Sequence, residues 1–74
     1  PARAGSALLL RDARVAAGDV TDLLDAAGRR VAAARAERAG EVRFSPQATR
    51  DLPAGLYFAR GRATGNTARL VVIR

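Results

Sequence analysis

The last third of the chain contains two short apolar runs that are rich in aromatic and β-branched residues. Residues 56–60 read Leu-Tyr-Phe-Ala-Arg, and residues 68–74 read Ala-Arg-Leu-Val-Val-Ile-Arg. The intervening loop, residues 61–66, contains Gly61 and Gly65, and glycine readily adopts the positive φ angles that tight hairpins need. The pattern predicts a β-hairpin, so any fold for this chain must accommodate a paired strand at its C-terminal end.

The chain has 74 residues and no cysteine, and Phe44, Tyr57 and Phe58 are its only aromatic residues. A chain of this length forms one domain and buries about 60% of the surface that it exposes when unfolded. Without disulfides, its stability must come mainly from aliphatic packing. We therefore treat residues 1–74 as a single domain.

Two further strands are predicted from local patterns. Residues 41–45 alternate polar and apolar, which places Val42 and Phe44 on one buried face, and Pro46 ends the strand because proline cannot donate to a ladder. Residues 8–10 form a short leucine run that fits a strand. Residues 12–18 have no clear pattern, and Val15 is their one clear core candidate.

The middle of the chain, residues 20–39, supports two interpretations. Its apolar residues fall at helical spacing, and only Gly28 interrupts a helix-prone composition. Alternatively, Asp25 and Gly28 occupy the first and fourth positions of a type I turn, which would join strands at residues 20–24 and 30–35. Periodicity does not decide between a helix and a strand–turn–strand.

Three segments, in their order along the chain, resemble a known family. Residues 21–31 contain an Asp-x-x-Gly-Arg turn, residues 51–60 contain a Leu-x-x-Gly-Leu-Tyr segment, and residues 68–74 form an apolar run flanked by basic residues. The pattern resembles the type A sorting domain at the C-termini of type IX secretion system cargo proteins, and the related immunoglobulin-like domain of flagellar hook-capping proteins. The opening residues, Pro1 to Gly5, are similar to the end of that family's first motif. The motif residues are Asp25, Gly28, Arg29, Leu52, Pro53, Gly55 and Tyr57.

The resemblance implies an all-β fold, an immunoglobulin-like antiparallel β-sandwich of about six or seven short strands. It also implies a function: the domain lies at the C-terminal end of a longer exported protein and directs that cargo across the bacterial outer membrane. Its partners would be protein components of the outer-membrane secretion machinery and an upstream cargo domain of the same polypeptide. Localisation would be periplasmic in transit, then cell-surface or extracellular. A chain that starts without methionine fits the same expectation.

The final run has two compatible interpretations. As a recognition strand, its apolar side chains would enter a groove of a secretion shuttle, with backbone bonds supplied by strand addition and charge supplied by the last arginine. As a structural strand, its flanking arginines would discourage edge-to-edge aggregation. The residues concerned are Arg69, Leu70, Val71, Val72, Ile73 and Arg74.

The spacing of Pro53, Gly55 and Tyr57 predicts a structural contact without reference to a family. In immunoglobulin-like sandwiches, a tyrosine near the start of a late strand hydrogen-bonds back to backbone a few residues upstream. Glycine before the strand permits the tight turn that this contact requires. We therefore expect Tyr57 to stabilise the crossover.

All thirteen basic residues are arginine, and the net charge is +6. Arg29, Arg30, Arg35 and Arg38 suggest a basic patch for lipopolysaccharide phosphate or nucleic acid. No aromatic residue is interleaved with these arginines, so a solvated surface is the favoured interpretation and a nucleic-acid partner is not expected. A small basic nucleic-acid-binding protein is an alternative that a helix over residues 21–39 would favour.

The residue types in the sequence do not form a recognisable catalytic motif. The chain has no histidine, so histidine-based triads are excluded, and its serines have no lysine partner. Asp19, Asp22 and Asp25 do not match the spacing of a calcium loop. We therefore expect no enzyme activity, cofactor or metal.

No segment has the ~20 apolar residues of a membrane span. A retained adhesion or filament-building module is the other alternative function.

Overall fold

A computed structural model describes residues 2–74. Pro1, with which the opening motif begins, lies outside the described residues. The described residues form seven strands and one short helix, in the following order: β1 (Ala2–Arg3), β2 (Leu8–Arg11), β3 (Val20–Asp25), β4 (Arg30–Arg35), β5 (Glu41–Phe44), α1 (Pro46–Thr49), β6 (Gly55–Gly61) and β7 (Thr67–Ile73). The predicted strands near residues 8–10, 41–45, 56–60 and 68–74 are therefore confirmed.

The strands form two sheets. The larger has the order β1-β7-β6-β3-β4, and the smaller pairs β2 with β5 in antiparallel fashion. The inward-facing side chains of both sheets build one core, which includes Phe44, Val42, Leu23 and Val72. The predicted all-β sandwich of six or seven short strands is confirmed.

One pairing differs from the expected antiparallel arrangement. β1 runs parallel to β7, with Ala2 opposite Val72 and Arg3 opposite Ile73, so the larger sheet is mixed. The pairing is extended by a hydrogen bond from the amide of Ala4 to the carbonyl of Ile73 (2.8 Å). A two-residue strand carries no periodic pattern, and the sequence therefore gave no signal for it.

The middle of the chain is a strand–turn–strand, and the helical interpretation of residues 21–39 is wrong. β3 pairs with β4 on one side and with β6 on the other, which places it inside the larger sheet. Leu23 and Thr21 point into the core, with Leu23 fully buried. The pairing of β3 with two neighbouring strands and the burial of its side chains outweigh the helix propensity of this alanine- and leucine-rich segment. Differences in helix propensity are worth only tenths of a kcal/mol per residue.

Pro46 ends β5 as predicted, but it also begins a one-turn helix that the sequence analysis missed. The Oγ of Ser45 accepts a hydrogen bond from the amide of Ala48 (3.2 Å), which caps the turn. Thr49 is buried, and its Oγ1 donates to the carbonyl of Ser6 (2.7 Å) and accepts from the amide of Gly5 (3.2 Å). This helix therefore fixes the connection between β1 and β2.

Candidate recognition surface along the last strand

The segment before β6 is anchored by Tyr57. Its ring is 4% exposed, and its hydroxyl donates a hydrogen bond to the carbonyl of Pro53 (2.7 Å). Leu52 is buried beside this contact, and Gly55 has a φ of +153°, which side chains with a β-carbon rarely adopt. The contact matches the tyrosine corner that the spacing predicts. It fixes where β6 begins, and β6 in turn aligns β7.

The Asp-x-x-Gly-Arg segment closes the turn between β3 and β4. The Oδ1 of Asp25 accepts hydrogen bonds from the amides of Ala27 (3.0 Å) and Arg29 (2.8 Å), and its Oδ2 lies 3.2 Å from the Nε of Arg29. The bond from the Arg29 amide is the main reason that the pKa of Asp25 lies below its usual value. Gly28 has a φ of +86°. Every residue of this motif thus has a turn-forming role.

The six residues of the predicted recognition strand have different environments. Val72 is buried and Leu70 is half-buried against the core, whereas Arg69, Val71 and Ile73 point outward. Arg74 follows the strand, and its Nη1 donates to the carbonyls of Leu52 (2.8 Å) and Arg50 (3.4 Å). The guanidinium of Arg74 therefore fastens the chain end to the loop that precedes β6.

Exposed apolar side chains gather on the outer face of β6 and β7, in a cluster that we call the outer patch. It comprises Leu56, Val71 and Ile73, which are 38%, 47% and 38% exposed. Leu56 lies directly opposite Val71 in the strand register, and Phe58 lies opposite Arg69. Of the described residues, only Leu9 is another large apolar residue with comparable exposure, and it belongs to the smaller sheet.

Leu56 was not among the sequence-predicted site residues. Its place could have been read from alternation, because burial of Tyr57 sends both of its neighbours to the opposite face of the strand. Arg3 pairs with Ile73, and Arg69 precedes Val71 by two residues, so both arginines border the outer patch. The patch is therefore apolar at its centre and basic at its margin.

The four arginines considered as a basic patch are mostly engaged by acids. The Nε of Arg29 lies 3.2 Å from Asp25, and an Nη1 of Arg30 lies 3.8 Å from Asp22. Arg38 lies 3.9 Å from Glu41, and it lines an open cleft together with Arg35 and two glutamates. These arginines are spread over a turn, a strand and a loop, and three of the four face a carboxylate.

An ion pair that the sequence analysis missed joins β3 to the β6–β7 loop. Arg62 donates from Nε and Nη2 to the two carboxylate oxygens of Asp22, at 2.9 and 2.8 Å. This bidentate bond is the main reason that the pKa of Asp22 is lowered. The partners are 40 residues apart, so no local pattern signals the pair.

The three aspartates weighed as a metal cluster have separate partners. Asp19 accepts a hydrogen bond from the amide of Ala16 (2.9 Å), Asp22 pairs with Arg62, and Asp25 closes its turn. Within residues 2–74 the structure has no grouping of three acidic side chains suited to a metal ion.

No helix within the described part of the chain is long and apolar enough to cross a membrane. Comparison with protein-family models, with curated proteins and with solved structures gave no match.

Proposed function

We propose that the domain is a C-terminal secretion-sorting module, which directs an exported cargo protein across the bacterial outer membrane. In this proposal the chain presents a recognition surface rather than a reactive centre. The secretion machinery binds the outer patch and β7, and the cargo domain lies upstream in the same polypeptide. The domain passes through the periplasm and reaches the cell surface or the medium.

The observation that carries this proposal is the outer patch. Three of the four large apolar side chains that are markedly exposed in residues 2–74 lie together on β6 and β7. Contiguous exposed apolar surface with a charged margin is typical of a protein-binding site. Two of the three motif segments that resemble the sorting family meet at the loop before β6, which the Tyr57 contact and the Arg74 bonds both hold.

A retained adhesion or filament-building module uses the same surface differently. The two functions are distinguished by the secreted product, which keeps the domain only in the second case. A helix over residues 21–39 would favour the nucleic-acid alternative, but residues 20–35 form a β-hairpin. Three of the four arginines considered for that interface also face carboxylates, which reduces the phosphate-binding charge that it needs.

The test is an export assay in a bacterium that has a type IX secretion system. A reporter enzyme with a signal peptide is fused in front of the 74-residue chain, and reporter activity is measured in the medium and in the periplasm. We expect the fusion to be secreted and Val71→Asp to retain the reporter in the periplasm. A charge placed in the outer patch prevents its burial against a partner.

Leu9→Asp is the matched control. It makes the same charge change at a side chain of similar exposure, 40% against 47%, on the other sheet. Secretion of the Leu9→Asp fusion with retention of the Val71→Asp fusion supports the proposal. Equal secretion of both variants, or no secretion of the parent fusion, contradicts it.

A further inference from the structure

A cavity opens between the two sheets at one end of the sandwich. β3, β5 and β7 begin at this end, and β2 and β6 end there. The cavity has a volume of about 510 Å³ and lies between the loop that follows β2 and the loop that joins β6 to β7. Four buried residues form the part of its lining that we call the floor, and none of them lies on β7: Val15, Thr21, Val42 and Ala59.

Small inward-facing residues of the larger sheet account for the space. Thr21 of β3 lies opposite Gly61 of β6 on one side and opposite Ala34 of β4 on the other. Neither neighbouring strand therefore places a large side chain beside Thr21. Ala59, the preceding inward residue of β6, is also small. The cavity thus follows from the residues that the strand register brings together at this end of the sheet.

Thr21 is the polar residue of the floor. It is 6% exposed, and its Oγ1 has no hydrogen-bond partner among residues 2–74. No fully sealed polar side-chain atom of these residues lacks a partner, so the hydroxyl of Thr21 must be open to the cavity that it lines. The other buried threonine, Thr49, differs because its hydroxyl donates to the carbonyl of Ser6 (2.7 Å). The hydroxyl of Thr21 can therefore form a hydrogen bond only with a molecule in the cavity.

The two loops at the entrance are held by hydrogen bonds of their own. In the first loop, the amide of Val15 donates to the carbonyl of Asp12 (3.0 Å), and the carbonyl of Val15 accepts from the amide of Gly40 (2.9 Å). In the second loop, the amide of Gly61 donates to the carbonyl of Asn66 (3.0 Å). The entrance is therefore preformed, as small-molecule sites usually are.

The lining restricts the charge of a ligand. Apart from Thr21 the floor is apolar, so a charged group placed there would lose its hydration without gaining a counter-ion. At the entrance, the Nε of Arg14 lies 3.2 Å from the Oδ1 of Asp12, so these two charges already face each other. Arg11 is exposed on the outer face of β2, because Leu10 before it faces the core. These features favour an uncharged ligand.

We propose that this cavity is a binding site for a small uncharged molecule with an apolar body and one hydroxyl or carbonyl oxygen. The body packs against Val15, Val42 and Ala59, and the oxygen forms a hydrogen bond with the Oγ1 of Thr21. A threonine hydroxyl can donate to a carbonyl and can either donate to or accept from another hydroxyl. The cavity shares no residue with the outer patch, and the proposal is independent of the sorting function.

Phenol and toluene are the probes that test this site, because they have the same shape and differ by a hydroxyl in place of a methyl group. Thr21→Val makes the same exchange in the protein and keeps a β-branched side chain in the strand. Both probes are titrated into the isotope-labelled 74-residue chain and followed by NMR. We expect saturable shifts at the floor residues. The ratio of phenol affinity to toluene affinity should fall by about threefold to tenfold in Thr21→Val, which corresponds to one hydrogen bond.

Thr67→Val is the matched control. Thr67 also lines the cavity, but it is exposed and lies opposite Arg60 on the outer face, so its hydroxyl is solvated. The affinity ratio should be the same in this variant as in the parent chain. Circular dichroism verifies that both variants are folded.

Three results would overturn the proposal. The first is a phenol titration that gives no saturable shifts at the floor residues. The second is an unchanged affinity ratio in Thr21→Val, which would mean that the hydroxyl of Thr21 bonds to water alone. The third is an equal fall in the ratio in both variants, which would place the effect at the entrance and not at the floor.

Discussion

Replacing Tyr57 by phenylalanine isolates the hydrogen bond that anchors β6. The ring stays in its buried site, and only the 2.7 Å bond from the hydroxyl to the carbonyl of Pro53 is lost. Pro53 is exposed, so in the variant its carbonyl can accept a hydrogen bond from water instead, and no buried acceptor is left without a partner. We therefore expect the net loss of an ordinary hydrogen bond, about 1 kcal/mol.

This free energy converts into a measurable shift in melting temperature. At about 2.1 cal/mol/K per residue, the entropy of unfolding of this chain is on the order of 0.16 kcal/mol/K, and 1 kcal/mol lowers Tm by about 6 °C. Urea denaturation followed by circular dichroism should give the same loss with an unchanged m-value, because the surface exposed on unfolding is the same.

The control is Tyr57→Ala, which also removes the ring and should cost about 3–5 kcal/mol. A loss below about 0.3 kcal/mol in Tyr57→Phe would show that the hydroxyl contributes nothing to stability. Equal losses in the two variants would refute the separation of ring packing from hydrogen bonding.

Three further predictions concern the turn, the core and acid stability. Gly28→Ala should lower the free energy of unfolding by about 1–2 kcal/mol, measured in urea, because of its φ of +86°; a loss no larger than that of Ala27→Gly would contradict this. Phe44→Ala should cost about 3–5 kcal/mol, a large part of the about 4–11 kcal/mol expected in total for a chain of this length, and should therefore lower Tm strongly; an unchanged Tm would contradict this. The pKa values of Asp22 and Asp25 are lowered in the folded state, so the stability that these carboxylates contribute is complete above an unfolded pKa of about 3.9 and is lost as the pH falls through the folded pKa values. Asp22→Asn should therefore flatten the loss of Tm measured below about pH 4. An unchanged dependence of Tm on acid pH would contradict this.

Local chemistry was sufficient to predict much of the fold. Val42 and Phe44 were placed in the core by alternation alone, and Tyr57 was placed against the upstream backbone by its spacing from Pro53. In each case the constraint acts over a few residues: a pleat has a period of two, and the tyrosine corner spans four positions.

Features that depend on residues far apart in the chain could not be predicted from local sequence patterns. The ion pair of Asp22 with Arg62 joins residues 40 positions apart, and the parallel pairing of β1 depends on where β7 lies. The hairpin over residues 20–35 was left undecided for the same reason, because its strand character comes from β6. The outer patch could be predicted only in part. Val71 and Ile73 were predicted as site residues, but Leu56 joins them only because the register of β6 and β7 places it opposite Val71.

The parallel pairing of the first and last strands also determines how the domain responds to mechanical force. β1 and β7 run in the same direction, so a pull applied to the two ends of the folded chain draws the strands past one another in shear. Shear loads all the hydrogen bonds of the pair at once instead of one after another. Within residues 2–74 the pair joins Ala2 to Val72 and Arg3 to Ile73, so a pull on the ends loads few hydrogen bonds before β1 separates from the sheet. Loss of β1 would leave the carbonyl of Ile73 without the amide of Ala4 as its partner, so tension would expose backbone of the last strand.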